Sequence, residues 1–300
     1  MVPGLINIGP QHPATHGVLR LIVILGGEII LWIIHELGLL HRGTEKLIES
    51  IYIISIIGYY NRLDYVSNIS QELLFVCCVE RLINCYLIDY ISVWRVYFLE
   101  FYKNLNHLLN ITTHAIDLGL FASLLWLFDE REKLINYNNC IFGTRFHVSL
   151  LLINNIRYDV TLGWIILVYQ WLISFGIKIK ELKQLLLNNL WYMRLYEIGI
   201  IKEDFCLHFG VTGIISRGIG IIMDLRLNYY ELYLILYFIS FYSLIGDCLD
   251  RYVLRLNEII ESCCILFQLF LVLFNVIIEL YNYTSSFYII MELLINEFLF

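Results

Sequence analysis

"GPQHPATHGVLRL", residues 9–21, is the stretch on which the fold turns. The chain has only three prolines, Pro3, Pro10 and Pro13, all within its first thirteen residues. Proline removes a backbone donor and clashes with the preceding helical turn, so everything after Pro13 is free to form long helices. The stretch itself is rigid and polar, and it holds His12 and His16. Directly after it, residues 18–25 are apolar and β-branched, Gly26-Gly27 reads as a two-residue turn, and residues 28–34 are apolar again. That pattern predicts a β-hairpin. Residues 5–8 alternate weakly and predict a further short strand, with residues 10–17 as a loop between.

Beyond the hairpin the periodicity turns helical. Thr44 is placed to cap a helix over 44–57, with Glu45 and Glu49 near its positive end. Ser67 or Ser70 opens a helix reaching about residue 86. Further helices are expected over 91–110, 118–136, 160–175, 180–197 and 247–280. Gly210, Gly213, Gly218 and Gly220 mark an irregular stretch. The expected class is mainly α with a small N-terminal β-hairpin or sheet (α+β). Residues 1–42 form the hairpin region and residues 43–300 a helical core, together one structural unit.

Composition adds a complication. The chain is 59% hydrophobic and 16% charged, with a mean hydropathy of +0.72. Soluble domains have about 45–50% apolar and about 25% charged residues. Ile, Leu, Tyr, Asn and Phe are abundant while Pro, Ala and Arg are scarce, the drift expected of an AT-biased, organelle-encoded gene. Residues 160–177 form an uncharged run long enough for a membrane span, and 232–246 and 263–278 come close. Elsewhere charges recur every few residues, as over 128–133, which a multi-pass protein would not scatter so widely. A polytopic membrane protein without a redox role remains the alternative at this point. The net charge of −7 and the lack of a basic run exclude a nucleic-acid partner. The eight cysteines include no C-x-x-C, which predicts buried thiols in a reducing compartment and no metal-ligand spacing. No arginine-rich leader or signal-peptide core is expected at the N-terminus.

Against this apolar background stand polar islands: GPQHPATHGVLRL, GLLHRGTEKLIE, NRLDYVS, LNHLL with THAIDLG, FDEREKL, RGIGIIMDLR and GDCLDRYVLR. In this order they resemble the subunit 7 family of NADH–ubiquinone oxidoreductase, respiratory complex I, over roughly residues 5–300. That family is related to the large subunit of nickel–iron hydrogenases, which implies a hydrogenase-large-subunit-like helical core.

The resemblance implies a peripheral-arm subunit on the matrix side of the mitochondrial inner membrane. Its partners would be the iron–sulfur subunit carrying the terminal [4Fe–4S] cluster and the other peripheral-arm and membrane-arm subunits. Ubiquinone is the implied substrate, NADH is oxidised elsewhere in the complex, and quinone reduction is coupled to proton translocation. No cofactor or metal is expected on this chain alone. The hydrogenase cysteine positions correspond here to Asp64 and Ser67, so no nickel–iron centre is expected.

By the same resemblance His16 and Tyr65 are the hydrogen-bond donors to the quinone headgroup, and Asp117 is the carboxylate paired with the histidine. A helix N-cap before Leu118 is the plain structural alternative for Asp117. Arg42 and His147 match positions beside the partner's cluster; for Arg42 the plain alternative is a surface pair with Glu45. His12, Arg217, Asp224, Asp247, Asp250 and Arg251 match motif positions and are expected in ion pairs between helices. Asp250, Arg251, Arg255 and Glu258 are expected on a polar helix face. Two departures stand out. "VSLLLINNIRYDV" replaces the family's Gly-Gly loop after His147. Residues 289–300 resemble the last helix before the family's C-terminal segment, which a separate polypeptide is expected to supply. A degenerate subunit kept only as scaffold is the third reading.

Overall fold

Strands β1 (Gly4–Ile8), β2 (Arg20–Gly26) and β3 (Ile29–Glu36) form one antiparallel sheet in that order. This is a computed structural model, and it describes residues 4–281 apart from 187–188 and 230. The expected helix over 289–300 lies outside the described residues. The tight turn falls at Gly27-Glu28, one residue later than the Gly-Gly reading, because Gly26 pairs with Ile29. Gly27 sits at φ +74°, where a side chain would be strained. A register shift at Ile24/Leu25 bends the hairpin.

The sheet is poorly covered. Every residue of β3 is exposed, including Ile29 at 71% and Trp32 at 62%. Of the three strands only Val23 is fully buried.

The helical body is the opposite. Where one helix over 44–57 was expected, the structure has α1 (Thr44–Ile48) and α2 (Ile53–Tyr60) with a break between them. Thr44 is not the cap: Gly43, in the left-handed region, stands there, with no side-chain bond. Helix α3 (Asn68–Ile83) leads to α4 (Asp89–Asp117), a 29-residue helix buried on nearly every side. Helices α3, α5 (Phe121–Phe142) and α11 (Cys248–Tyr281) pack directly against α4. A helix buried on nearly every side forms the centre of a core, and its polar residues must then find partners inside. Trp164 closes the centre, its ring 5.6–5.8 Å from those of Tyr97, Phe98 and Phe101. Each fully buried aromatic or aliphatic side chain contributes roughly 1.5–3 kcal/mol.

Residues 160–175 and part of 180–197, expected as two helices, form one, α6 (Leu162–Leu186), followed by α7 (Asn189–Leu195). Between β4 (Leu151–Leu152) and β5 (Asn155–Ile156) runs a two-residue turn. Short helices α8 (Glu203–His208), α9 (Ile214–Gly218) and α10 (Arg226–Tyr229) fill the glycine-rich stretch. Helices α6 and α11 have the length and apolarity to cross a bilayer. Both pack within the bundle, α6 against α5 and α11, and α11 also against α4. Residues 232–246 are mostly irregular and form no helix of that length.

Helix α4 is also a spine of buried charge. Arg95 donates to both oxygens of Glu80 at 2.7 and 2.6 Å. Glu100 accepts from Arg226 at 3.1 Å and from the Tyr233 hydroxyl at 2.6 Å. Glu258 takes Lys103 (3.3 Å), His107 (3.0 Å) and Arg217 (2.6 Å). Glu258 is buried, and its polar face is turned inward, where α4 offers Lys103 and His107 and α9 offers Arg217. The expected ion pairs between helices hold for Arg217. Asp224 instead pairs locally with Arg226. Asp247 caps α11 by accepting from the Asp250 N–H at 2.7 Å, and Asp250 accepts from the N–H groups of Ile245 and Gly246. Arg251 donates to the carbonyls of Gly199 and Gly246. All eight cysteines are free; Cys206 is buried, Cys77, Cys85, Cys248 and Cys263 are partly buried, and the buried-thiol expectation fails for the exposed Cys78, Cys140 and Cys264. They lie on outward faces of α3, α5 and α11.

Candidate functional site

The polar stretch after β1 folds into a tight, internally bonded loop. Pro13–Thr15 make one 3-10 turn, and the His12 ring accepts from the Ala14 N–H, capping the turn rather than joining an ion pair between helices. The buried Thr15 hydroxyl lies 3.0 Å from the Pro10 carbonyl and 2.9 Å from that of His12. Gly9, at φ +86°, has no room for a side chain: a Cβ there would run into the Leu19 carbonyl oxygen. His16 follows in the left-handed region at φ 51°. This conformation is uncommon for a non-glycine residue, though histidine is among those that adopt it more often. Side-chain-independent bonds hold it there: the His16 N–H donates to the Pro13 carbonyl. The imidazole is exposed.

The second segment comes from the chain between α2 and α3. Asp64 accepts from the N–H groups of Val66 and Ser67 at 3.0 and 3.3 Å, a local turn that sets Tyr65 outward. The Tyr65 hydroxyl donates to the His16 carbonyl at 2.7 Å, joining residues 49 apart in sequence. Burial, and then the Asp64 charge, push the Tyr65 phenol pKa up. The ring also lines a narrow pocket with Val66, Tyr102, Arg131, Arg145 and Phe146. A larger cleft of about 470 Å³ lies between α5 and α6, away from these residues.

Asp117 is the last residue of α4, and α5 begins only at Phe121 behind Leu120. It therefore does not cap a following helix. The loop before His16 packs on α4. Among the described residues no hydrogen bond joins Asp117 to His16; its charge acts on His114, against the larger effect of burial and the opposing charge of Arg255.

His147 lies in the segment between α5 and β4 and is exposed. Burial, then Arg62 and Arg42, hold its pKa down. Arg42 is exposed and makes no ion pair among the described residues, so the pairing with Glu45 is not formed. The structure thus gathers two groups: His16 with Tyr65, and His147 with the positive charge of Arg42 and Arg62. Among the described residues no three His, Cys, Asp or Glu side chains converge as a metal site.

Sequence reasoning missed what holds the His147 segment. Asn61, Asn68 and Glu72 form a buried lattice. Glu72 accepts from Asn61 Nδ2 at 2.7 Å and from the N–H groups of Leu150 and Leu151 at 3.0 and 3.2 Å. Asn68 Nδ2 donates to Asn61 Oδ1 at 3.0 Å and to the Phe146 carbonyl at 2.6 Å. Burial outweighs these bonds and raises the Glu72 pKa. The i, i+4 spacing of Asn68 and Glu72 puts both on one face of α3, a signal present in the sequence.

The family model described as "Respiratory-chain NADH dehydrogenase, 49 Kd subunit" matches residues 117–293. The chain belongs to this family. It is similar to the NADH-ubiquinone oxidoreductase 49 kDa subunit of Pylaiella littoralis, with 40% identity over 88% of the chain and 67% of that protein. The 49 kDa subunit of Acanthamoeba castellanii is 42% identical over 87% of the chain and 66% of its own length. That of Reclinomonas americana is 39% identical over 87% of the chain and 67% of its length. The chain spans about two thirds of these 49 kDa-family relatives.

Proposed function

We propose that the chain is the quinone-site subunit of respiratory complex I, an NADH:ubiquinone reductase that translocates protons. Family membership supports the complex. The Tyr65–His16 junction carries the finer reading, because the phenol hydroxyl bonds to the His16 backbone carbonyl and so brings the two loops together.

Reduction of a quinone to its quinol takes two electrons and two protons. The [4Fe–4S] cluster of a partner iron–sulfur subunit would supply the electrons one at a time. The exposed, electropositive face around Arg42, Arg62 and His147 suits apposition of a negatively charged cluster, whose reduced state nearby positive charge stabilises. The protons are the task of this chain. His16 and Tyr65 are the groups that would donate to a headgroup oxygen; the Tyr65 hydroxyl, which here gives its one proton to the His16 carbonyl, would turn from that oxygen to the quinone. Asp117 is the carboxylate that in this reading would pair with the protonated His16 ring. In this reading NADH is oxidised in another subunit, and peripheral-arm and membrane-arm subunits are the remaining partners, on the matrix side of the mitochondrial inner membrane.

The test is NADH:ubiquinone turnover of assembled complexes carrying Tyr65→Phe or His16→Ala, beside NADH oxidation by a hydrophilic electron acceptor. Loss of the first with the second intact supports the reading. Unchanged quinone turnover in both variants means that the chain is scaffold.

A further inference from the structure

The narrow pocket beside Tyr65 encloses about 10 Å³, roughly the space that one water molecule needs. Four residues on its wall carry a buried polar atom with no partner among the described residues: Asn68 Oδ1, the Tyr102 hydroxyl, Arg131 Nε and Asn138 Oδ1. Asn68, Tyr102 and Asn138 are each at most 2% exposed. Buried polar atoms in folded proteins are nearly all satisfied, so four orphans around one small space call for a common partner.

The wall comes from three helices. Asn68 opens α3 directly after the Tyr65 loop, Tyr102 lies on α4, and Arg131 and Asn138 lie on α5. Arg131 and Asn138 are seven residues apart, two turns along one face. The Asn68 amide is fixed in orientation. Its Nδ2 gives its two hydrogens to Asn61 Oδ1 and the Phe146 carbonyl, which leaves Oδ1 turned away from both.

The chemistry of the four atoms selects the ligand. The Tyr102 hydroxyl and Arg131 Nε are donors, and the two amide oxygens are acceptors. An anion would face both amide oxygens, and a cation would face the Arg131 guanidinium. Arg145, also on the wall, is already paired with Glu132. Water gives two hydrogens and accepts two, so one molecule meets all four atoms, and the volume admits nothing larger.

We propose that this pocket is a site for a single ordered water, which donates to Asn68 Oδ1 and Asn138 Oδ1, accepts from Tyr102 and Arg131, and so ties the start of α3 to α4 and α5 beside Tyr65. A water bridging several buried groups is nearly as good a bond as a direct contact. The Tyr65 loop enters α3 at that joint: Asp64 turns the chain by accepting from Val66 and Ser67, and Asn68 follows. The water therefore sets the height at which the phenol stands. Its bearing on turnover rests on the quinone reading of Tyr65.

The experiment uses the assembled complex, wild type and with Tyr102→Phe or Asn138→Leu. A density map fine enough to place waters is obtained for each, and the KM for ubiquinone is measured beside NADH oxidation by a hydrophilic acceptor. The expected wild-type map has one water within about 2.7–3.2 Å of all four atoms. Each variant takes one bond from that water, which is lost or displaced, and the Tyr65 ring shifts. The KM for ubiquinone then rises by about 2- to 10-fold, the worth of one hydrogen bond, while oxidation through the hydrophilic acceptor stays at wild type. Where one variant fails to assemble, the other decides. A wild-type pocket that is empty, closed by its own side chains or filled by an ion overturns the water site. A water lost from both variants with Tyr65 unmoved overturns the joint. If the ring shifts with KM unchanged, and Tyr65→Phe is also without effect on turnover, the quinone reading fails while the water site stands.

Discussion

The N-terminal sheet and the helical body use the same apolar alphabet in opposite ways. In β3 the sequence Ile-Ile-Leu-Trp-Ile-Ile lies open on both faces. In α4 residues of the same kind are buried, and even Arg95 and Glu100 are taken inside with partners. Apolar content therefore does not separate a core from a contact surface in this chain; the burial of charge does. Where charges are enclosed and matched the chain has built its own interior. Where apolar side chains stand exposed with charges only at the margin, as with Arg20 and Glu36, the surface is of the kind that a contact covers.

The largest effect that would break this contrast is in the body. Glu80→Ala leaves Arg95 enclosed without its carboxylate, and should cost about 3–5 kcal/mol. It would show as loss of assembled complex or a large fall in Tm; a Tm within a degree of wild type would mean that the interior is not sealed. Next comes Tyr65→Phe, which should lower quinone turnover by about 10²-fold if the phenol supplies a proton, with little change in Tm. His16→Gly sharpens it. Glycine suits φ 51° better than histidine, so the loop should stay folded while turnover falls.

A pH effect follows at intermediate size. Burial, Lys103 and Arg255 keep the His107 pKa low in the folded chain, against the opposing pull of Glu258. The unfolded chain then binds the proton more readily, so stability is full above the ordinary histidine pKa of about 6.5 and falls as pH drops below it. His107→Gln should flatten the profile of Tm between about pH 6.5 and 5; an unchanged slope would assign the loss to other groups. The smallest effect is on the sheet. Arg20 and Glu36 pair at 3.0 Å with 38% and 45% of their side chains exposed. Arg20→Ala should change stability by about 0–1 kcal/mol, measured by denaturant titration.

Much of this was legible in the residues, and the misses have physical causes. Proline confined to the first thirteen residues announced the division between sheet and helices. The hairpin was readable from β-branched runs around Gly26-Gly27, although which residues formed its turn depended on pairing that no local pattern contains. The helix expected over 44–57 breaks because α2 is turned to seal Ile56 and Ile57 inside, a tertiary demand. Helix α6 runs on past Gly176 to Leu186 because packing of Trp171 and Phe175 outweighs a weak helix former. At the site, His16 and Tyr65 stood out as polar residues in an apolar chain. Asn68 and Glu72 did not, since their partners are backbone groups some eighty residues away.

The outer margin of β3 has one further consequence. Among the described residues no strand pairs with that margin. Eight residues with a free row of amides and carbonyls, and oily side chains above and below, are a template for a second strand of any origin. Two orphan copies meeting there would zip together and precipitate. A strand paired along that margin would close the template and suppress such self-association.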